Sequence, residues 1–448
     1  MQISLTQNRS SDSVVAWNEQ GIISHTQFLS DVLQLVKRLP DKMFAINLCE
    51  ERYSFMVAFA AVIVKQQTNL LPQSRVVGNV NEVAKDNPDN YCITENIIDG
   101  LEIEQIVIDF KALASNQVER DHSMQSPTID AAHIAAIVYT SGSTGKPQAN
   151  SKTWGALVSG ASMAAERFGF INNPAYIVAT VPPQHMYGLE TSILYCLQNA
   201  CAVYAGSPFY PDDIRSAVES TLQPVVLVTT PVHLRACTGA ANIVWNNIKT
   251  IISATALLRV DLAKQVSEKM KATVMEIFGC TEAGAIASRE PLKTELWKLY
   301  SGLSISQQNT KTFIHGTSSV QDIELSDIIE IVDENSFKLL GRDEDMVNIA
   351  GKRGSLADLT LKLQSIKDVD DAVVYFPENN NEVNRLIAFV VSKNLDEKAI
   401  STELAKKIDR VFLPRPIYRV NSLPYNDTGK LTQKDLYNLH QKCKNINK

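Results

Sequence analysis

The sequence predicts an α/β fold, in which a large N-terminal domain with parallel-rich sheets precedes a small α+β C-terminal domain. Two observations support this prediction. Five near-continuous apolar runs alternate with longer amphipathic stretches, and the pattern changes after about residue 327. Runs that are apolar at successive positions are typical of strands buried on both faces of a parallel sheet, with helices between them. The five runs are His133–Tyr139, Tyr176–Val181, Val225–Thr230, Ile248–Ser253 and Thr273–Phe278.

The remaining elements follow in chain order. In the region before these runs, Phe55–Val64 predicts a buried helix, since it is only about half as long as the ~20 residues that span a bilayer. After residue 327, Ile328–Val332 and Phe337–Leu340 flank a short polar turn, which predicts a hairpin. A separate α+β unit is expected beyond Arg342, so the predicted domains are residues 1–342 and 343–448. Its expected helices are Asp358–Ile366 and Asp396–Phe412, and its expected strands are Ala372–Phe376, Leu386–Val391 and Ile417–Val420.

The composition is that of an ordinary folded protein. Hydrophobic residues make up 45% and charged residues 21% of the 448, which does not suit a disordered chain. The formal charge of −6 provides no basic field for a phosphate backbone, so we expect no nucleic-acid partner. The seven cysteines form no CxxC and no zinc-like cluster, and no secretory signal is visible. We therefore expect reduced thiols, a cytoplasmic location and no membrane span.

The segment Ile137–Gln148 carries the strongest chemical signal. An apolar strand leads directly into a loop of hydroxyl side chains, glycines and one lysine. Hydroxyls and bare glycine amides at the carboxyl end of a strand are suited to wrapping a polyphosphate. This is not a Walker loop, because Thr140 occupies the first glycine position and Pro147 follows the lysine. A simple Gly/Ser turn is the alternative. The candidate phosphate-binding residues are Thr140, Ser141, Gly142, Ser143, Thr144, Gly145 and Lys146.

This loop resembles the phosphate loop of the adenylate-forming (ANL) superfamily, which includes acyl- and aryl-CoA synthetases (AMP-binding enzymes), nonribosomal adenylation domains and luciferases. Four further segments resemble that superfamily's motifs and follow in its order. They are similar to its aromatic-Gly-x-Thr-Glu segment, its Thr-Gly-Asp segment, its hinge motif and its C-terminal lysine motif. One match alone carries little weight, whereas five in order are not expected by chance. The four segments are Phe278–Gly284, Leu325–Asp327, Gly341–Arg353 and Leu423–Lys430.

The resemblance implies that the N-terminal domain binds ATP and Mg²⁺. ATP brings several negative charges beside a carboxylate that must attack the α-phosphorus, so the site must neutralise charge and align two anions. Glu282 is similar to the superfamily's magnesium ligand, a role that suits a hard carboxylate oxygen. Phe278, followed by Gly279, is similar to the aromatic residue that packs on adenine. Thr281 resembles the hydroxyl residue near the α-phosphate.

The resemblance implies further contacts from the second half of the chain. Asp327 would accept hydrogen bonds from both ribose hydroxyls, which suits an acceptor-only group. Arg342 would contact ribose and phosphate. Lys430 would be the catalytic cation that bridges the substrate carboxylate and the α-phosphate. It would be delivered by a mobile C-terminal domain that swings about Glu344.

Thr140 and His185 join Lys430 as candidate catalytic residues. His185 falls where many acyl- and aryl-CoA ligases carry a His or an aromatic residue beside the carboxylate of the acid. Each assignment has a plainer alternative. Packing in a core or loop is the alternative for His185 and Phe278, and a solvated position is the alternative for Glu282 and Lys430.

The chain departs from the superfamily's pattern at several positions. Gln148 replaces the usual lysine after the proline of the phosphate loop, and Lys152 is the nearest cation to compensate. Ala254 and Thr255 replace the two glycines of a segment that lines the nucleotide and acyl pocket, which would narrow that wall. Asn348 replaces a lysine of the hinge motif. The nucleotide-handling residues are kept, so we expect a functional, divergent enzyme.

The expected function is ATP-dependent activation of a carboxylic acid to an acyl-adenylate, followed by transfer of the acyl group to a thiol. The expected substrate is a small aromatic or fatty acid without further net charge, and the expected cofactors are ATP, Mg²⁺ and CoA. The alternative acceptor is the phosphopantetheine thiol of an acyl-carrier protein. A non-enzymatic alternative is a degenerate nucleotide-binding regulator, motivated by Gln148 and Asn348.

Overall fold

A computed structural model provides the structure of the chain. It describes residues 1–7, 9–109, 125–141, 147–240, 243–308, 311–316, 322–342, 346–349, 352–377, 385–425 and 431–446. Side chains at 141, 147, 342, 346, 348, 352, 353 and 446 are outside this description. In the part of the chain described, no helix is both long enough and apolar enough to cross a membrane.

The chain divides into two compact units. The first comprises Met1–Ser304 and His315–Ile323, and the second comprises Ile305–Ile314 and Glu324–Lys448. This division by packing falls earlier in the chain than residue 342. The boundary at residue 342 was predicted from the expected movement of the C-terminal domain, and it stays a prediction.

The first unit contains a six-stranded sheet. Four pairs of neighbouring strands are parallel, and only the pair at one edge, Pro147–Thr153 with Ile134–Ser141, is antiparallel. Helix Arg52–Val64 connects two of the parallel strands and is buried almost throughout, because it has no polar face. It confirms the buried helix predicted at Phe55–Val64. The strand order is Pro147–Thr153, Ile134–Ser141, Thr68–Leu71, Phe44–Asn47, Asn90–Thr94 and Gln105–Val107.

A second sheet of the first unit holds the other predicted strands. Its central strands are parallel neighbours, and antiparallel strands flank them on both sides. All five apolar runs form strands within two residues of the predicted ends. In this unit the strand order is Trp297–Leu299, Gly284–Arg289, Thr273–Cys280, Ile248–Ser253, Val225–Thr229, Tyr176–Ala179, Ala202–Tyr204, Val14–Asn18 and Gly21–Ser24. A separate pair joins Gln2–Ser4 to Thr128–Asp130.

Helices connect and cover these strands. Side chains from helices Pro211–Glu219, Pro231–Gly239 and Val260–Met270 form one apolar core with the second sheet. Helix Trp154–Phe168 begins where the Thr153 side chain accepts a hydrogen bond from the Ala156 amide, and it ends at left-handed Gly169. Further helical elements among the described residues of this unit are helices His25–Val36, Val77–Asp86, Met186–Gly188 and Tyr195–Gln198 and the π-helix Leu189–Leu194.

The second unit is α+β, as predicted. Strands Asp327–Asp333 and Ser336–Arg342 form the predicted hairpin. Its other strands are Ser304–Gln308, Lys311–His315 and Ile323–Leu325, the pair Met346–Ile349 and Lys352–Ser355, and the sheet Asp371–Tyr375, Ile387–Val391 and Ile417–Arg419. Its helices are Leu356–Gln364, Glu397–Leu404 and Gln433–Ile446.

The predicted helix Asp396–Phe412 is wrong in its second half. The α-helix covers only Glu397–Leu404, and a separate 3₁₀ turn covers Arg410–Phe412. Asp409 has extended backbone, and its carboxylate accepts a hydrogen bond from the Val411 amide. This cap competes with helical hydrogen bonding and starts a new turn, so the chain does not continue as one helix.

Candidate active site

The segment that carries Phe278, Thr281 and Glu282 is a tight β-hairpin. Strands Thr273–Cys280 and Gly284–Arg289 pair in antiparallel register, with an irregularity between Phe278 and Gly279. A Cβ atom on Gly279 would lie 2.2 Å from the Gly284 carbonyl oxygen, so only glycine fits this close approach. The close approach of the two strands therefore fixes the backbone on both sides of the turn that contains Thr281 and Glu282.

Phe278 is buried at the base of this hairpin. Its ring centroid lies 5.5 Å from that of Trp297, with the planes tilted by 52°. The Arg289 guanidinium lies 4.6 Å from the centre of the Trp297 ring and pairs with buried Glu276 at 2.6 Å. Aromatic packing beneath the turn is thus established, and contact between Phe278 and adenine stays a prediction.

Glu282 lies exposed in the turn, where a carboxylate can meet a cation. Thr281, beside it, is partly buried. The Lys152 Nζ donates a hydrogen bond to the backbone carbonyl oxygen of Glu282 at 2.5 Å. Lys152 belongs to the strand that follows the phosphate loop, so this contact joins two segments that are 130 residues apart in sequence.

The phosphate loop connects two antiparallel strands of the six-stranded sheet. Thr140 pairs with Gln148 and Ser141 pairs with Pro147, so the strands that enter and leave the loop lie side by side at its base. Residues 142–146 lie outside the described part of the chain, as does the Ser141 side chain. The structure therefore places Thr140 at the mouth of this loop, and the phosphate contacts of the loop stay a prediction.

Lys152, the nearest cation to the missing lysine at position 148, differs from that position in its surroundings, and its compensation for that lysine stays a prediction. Gln148 is exposed, whereas Lys152 is buried, with 8% of the residue accessible. Burial lowers the pKa of Lys152, and the charge of Glu190 opposes that shift. Its ammonium is held by the backbone of the hairpin turn that bears Glu282.

Glu190 is a site residue that the sequence did not reveal. It lies in the π-helix Leu189–Leu194 and is 8% accessible. Its carboxylate accepts hydrogen bonds from the Ala285 amide at 3.1 and 3.3 Å, at the far end of the same hairpin turn. Burial raises the pKa of Glu190 to about 7, against the opposing effects of the Ala285 amide and Lys152.

His185 lies in the segment that precedes this π-helix. The residue is partly buried, with extended backbone at the start of helix Met186–Gly188. The next residue but one, Tyr187, donates hydrogen bonds from its hydroxyl to the carbonyl oxygens of Ile252 at 2.8 Å and Thr229 at 3.2 Å. This anchors the His185 segment at the carboxyl ends of two parallel strands, which is where ligands bind in open α/β sheets.

The pocket segment after strand Ile248–Ser253 has unusual backbone. Ser253 and Ala254 are buried, and Thr255 has a φ of +77°, in the left-handed region. This region is unfavourable for a β-branched residue and is readily adopted by glycine. The position is one of the two at which the superfamily pattern has glycine, so this chain has a β-branched residue in a conformation that glycine adopts more readily.

The remaining predicted residues belong to the second unit. Asp327 is buried and begins strand Asp327–Asp333, and Arg342 ends the partner strand. Their Cα atoms are register partners. The side chain of Arg342 lies outside the described residues, and so do Glu344 and Lys430 altogether. Their roles stay predictions.

The arrangement defines a class of protein: an α/β unit with two largely parallel sheets and an α+β unit that contains the C-terminal part of the chain. Models of protein families confirm this class. The model described as AMP-binding enzyme matches residues 53–312, and that described as AMP-binding enzyme C-terminal domain matches residues 362–430. The chain belongs to the AMP-binding enzyme family, within the adenylate-forming superfamily, as the sequence predicted.

Named relatives include two kinds of ligase. The chain is 22% identical over 352 residues to peroxisomal OPC-8:0-CoA ligase 1 of Arabidopsis thaliana, which covers 69% of this chain and 64% of that protein. It is 23% identical over 358 residues to D-alanine–D-alanyl carrier protein ligase of Bacillus cytotoxicus, covering 67% of this chain and 69% of that protein. Thus the chain spans about two thirds of the length of these relatives.

A solved structure confirms the fold. The O-succinylbenzoate coenzyme A synthetase of Bacillus subtilis, in complex with ATP and magnesium ion, superposes with a TM-score of 0.78. The two are 16% identical, and the match covers 95% of this chain and 97% of that one. The predicted fold class is therefore correct along nearly the whole chain.

Proposed function

We propose that this protein is an acid–thiol ligase that uses ATP and Mg²⁺ to convert a carboxylic acid to an acyl-adenylate and then transfers the acyl group to CoA. The observation that carries the proposal is the hydrogen bond between Lys152 and the Glu282 carbonyl. It brings the strand leaving the phosphate loop against the turn that bears the proposed magnesium ligand. The strand that leaves one motif therefore contacts the turn of another, which supports a shared site of the kind that adenylation requires.

The residues at this turn fit a magnesium ion. Glu282 offers an exposed carboxylate, and Thr281 beside it offers a hydroxyl oxygen, which are the hard ligands that Mg²⁺ prefers. Among the described residues, no group of three or more His, Cys, Asp or Glu side chains is arranged to hold a metal. One carboxylate with substrate phosphates is the usual arrangement for Mg²⁺. When bound, Mg²⁺ would neutralise phosphate charge.

The chain's own residues account for the other needs of the first step. Thr140 and the loop after it would hold the phosphates, and Phe278 would support the adenine. His185 would meet the carboxylate of the acid, since its segment is fixed at the carboxyl ends of strands Val225–Thr229 and Ile248–Ser253. Attack by the carboxylate oxygen on the α-phosphorus forms the acyl-adenylate and expels pyrophosphate.

The second step transfers the acyl group. A thiolate attacks the acyl carbon, the carbon–oxygen bond to AMP breaks, and a thioester forms. CoA is the acceptor that we propose, in line with the OPC-8:0-CoA ligase relative. The phosphopantetheine arm of an acyl-carrier protein is the second candidate, because a carrier-protein ligase is also a relative.

The acid that we propose is aromatic or fatty, without further charge. Tyr187, whose hydroxyl binds at the carboxyl ends of two strands, and Ser253 and Ala254, at the end of the second of these strands, are uncharged. A second carboxylate on the acid would need a cationic partner to offset its desolvation. None of these three side chains supplies one.

ATP–pyrophosphate exchange with a panel of aryl and fatty acids tests the proposal. We expect exchange that depends on one class of acid and, after addition of CoA, a thioester detected by mass spectrometry. Thioester formation only with a holo carrier protein would replace CoA by the second candidate. ATP binding without exchange for any acid would favour a nucleotide-binding regulator.

A further inference from the structure

The hairpin turn that bears Glu282 is held at both ends by buried charged side chains. The Lys152 ammonium binds the carbonyl oxygen of Glu282, and the Glu190 carboxylate binds the amide of Ala285. One contact therefore fixes the residue that would meet the metal, and the other fixes the second residue after the turn. Both charged residues are 8% accessible.

The surrounding glycines make room for this arrangement. Gly284 has a φ of +78°, and a Cβ atom on it would lie 2.5 Å from Glu190 Oε1. A Cβ on Gly160, in helix Trp154–Phe168, would lie 3.5 Å from the same oxygen. The carboxylate thus sits closely against the hairpin on one side and a helix on the other. An alanine at position 284 would displace it.

Two further features indicate more than ordinary packing. Burial of a charged group is costly unless hydrogen bonds and an opposite charge offset it, so an apolar pair would hold the fold at lower cost. Glu190 also lies in a π-helix, an element that frequently occurs at functional sites because it shifts the side chains on one face. The two buried polar side chains, Lys152 and Glu190, therefore serve the backbone of the turn, which both of them contact.

We infer that Lys152 and Glu190 are positioning residues that fix the turn Thr281–Ala283 and thereby set the direction of the Glu282 carboxylate. The inference rests on the proposed function, in which that carboxylate binds Mg²⁺. Rotation of the peptide that contains the Glu282 carbonyl would turn the carboxylate away from its ion. Neither Lys152 nor Glu190 needs to touch substrate for this effect.

Four variants test the inference. Lys152→Met removes the donor and keeps the apolar stem, and Glu190→Leu removes the acceptor. Glu190→Gln keeps a carbonyl oxygen as acceptor and is the conservative variant. Lys264→Met, on the exposed face of helix Val260–Met270, is the matched control for loss of a lysine.

The first readout is amide hydrogen exchange without any ligand. In Glu190→Leu we expect the peptide that covers residues 281–287 to exchange about ten-fold faster, because the acceptor of the buried Ala285 amide is lost. Lys152→Met should loosen the same peptide, Glu190→Gln should lie nearer to the wild type, and Lys264→Met should match it. Exchange in strand Val225–Thr229 should not change in any variant.

The second readout is the Mg²⁺ concentration that gives half-maximal pyrophosphate exchange. We expect it to rise about ten-fold in Lys152→Met and Glu190→Leu, which is typical when the support of a metal ligand is lost. The apparent constant for the acid should change less. An unchanged Mg²⁺ requirement, or faster hydrogen exchange throughout the protein, would overturn the inference. If the wild type catalyses no exchange with any acid, the proposed function fails, and the hydrogen-exchange result still decides whether the two residues hold the turn.

Discussion

Asp327 and Arg342 face each other across a β-hairpin, as register partners at the open end of strands Asp327–Asp333 and Ser336–Arg342. The two residues belong to different segments of the resemblance and are the two assigned to the ribose. Directly opposed residues in an antiparallel pair have Cα atoms about 4.5–5.5 Å apart. The hairpin therefore brings an acceptor position and a donor position to one point.

The assignment of Asp327 predicts an effect on ATP. Asp327→Asn should raise the apparent constant for ATP about ten-fold, since hydrogen bonds to a charged acceptor contribute about 1.5–3 kcal/mol. The constant for the acid should change little. Asp333→Asn, at the closed end of the same hairpin, is the control and should leave both constants unchanged. Steady-state kinetics of both variants check this, and equal effects on ATP and acid would indicate a structural role for Asp327.

The conformation of Thr255 predicts that its replacement by glycine increases the stability of the protein. Its left-handed φ is strained for a β-branched residue, and its Oγ1 has no hydrogen-bond partner among the described residues. Thr255→Gly should therefore increase the free energy of unfolding by about 1 kcal/mol. Relief of strain of this kind contributes of order 1–3 kcal/mol, and the larger chain entropy that glycine loses on folding offsets part of that gain.

Urea denaturation measures this change. Thr250→Gly, in the extended strand Ile248–Ser253, is the matched control and should lower the free energy of unfolding. A destabilised Thr255→Gly variant would mean that the threonine side chain contributes packing that outweighs the strain.

Glu190 predicts how stability depends on pH. Its pKa is raised to about 7 from the usual 4.5, so the folded protein binds this proton more tightly than the unfolded chain does. The stabilisation is complete below about pH 4.5 and is lost as the pH rises through 7. A shift of this size corresponds to about 3 kcal/mol. The titratable side chains that interact with it are Lys152, Tyr195 and Tyr300.

The comparison with Glu190→Gln isolates this effect. The amide does not titrate, so the variant should gain stability relative to the wild type between pH 5 and pH 8. Urea denaturation at both pH values measures the difference. A constant difference between the two proteins would show that Glu190 keeps one protonation state throughout this range.

Lys430 predicts a difference between the two half-reactions. Lys430→Ala should slow adenylation by ~10²–10³, because one charge-stabilising donor is lost in the transition state, with ATP affinity nearly unchanged. Given pre-formed acyl-adenylate, the variant should transfer the acyl group to thiol at nearly the normal rate. Loss of both half-reactions would indicate that Lys430 holds the fold, and retention of both would leave it a solvated lysine.

The strands were predictable from the sequence because parallel strands buried on both faces consist largely of apolar residues. Helix Asp396–Phe412 was overextended because periodicity does not reveal that the Asp409 side chain caps a new turn. The order of five motif-like segments was sufficient to predict the family, because each segment, such as Phe278–Gly284, can be identified from a few adjacent residues.

The buried pair under the hairpin could not be predicted in the same way. Lys152 lies in a polar strand at the edge of its sheet, where alternation predicts a solvated side chain, and its burial results from a contact 130 residues away. Glu190 follows the His185 segment, and the resemblance of that segment assigns no role to Glu190. The partner of the Glu190 carboxylate, the Ala285 amide in strand Gly284–Arg289, is known only from the folded structure.

Acid-dependent ATP–pyrophosphate exchange, measured over a Mg²⁺ titration for the wild type and Glu282→Gln, tests the central claim most directly. The account predicts exchange by the wild type with an aryl or fatty acid. In Glu282→Gln it predicts exchange that is about ten-fold slower or more, a loss of at least ~1.4 kcal/mol, and a higher Mg²⁺ requirement. A wild type that binds ATP but exchanges with no acid would contradict the assignment as a ligase, and identical Mg²⁺ titrations would remove Glu282 from the metal site.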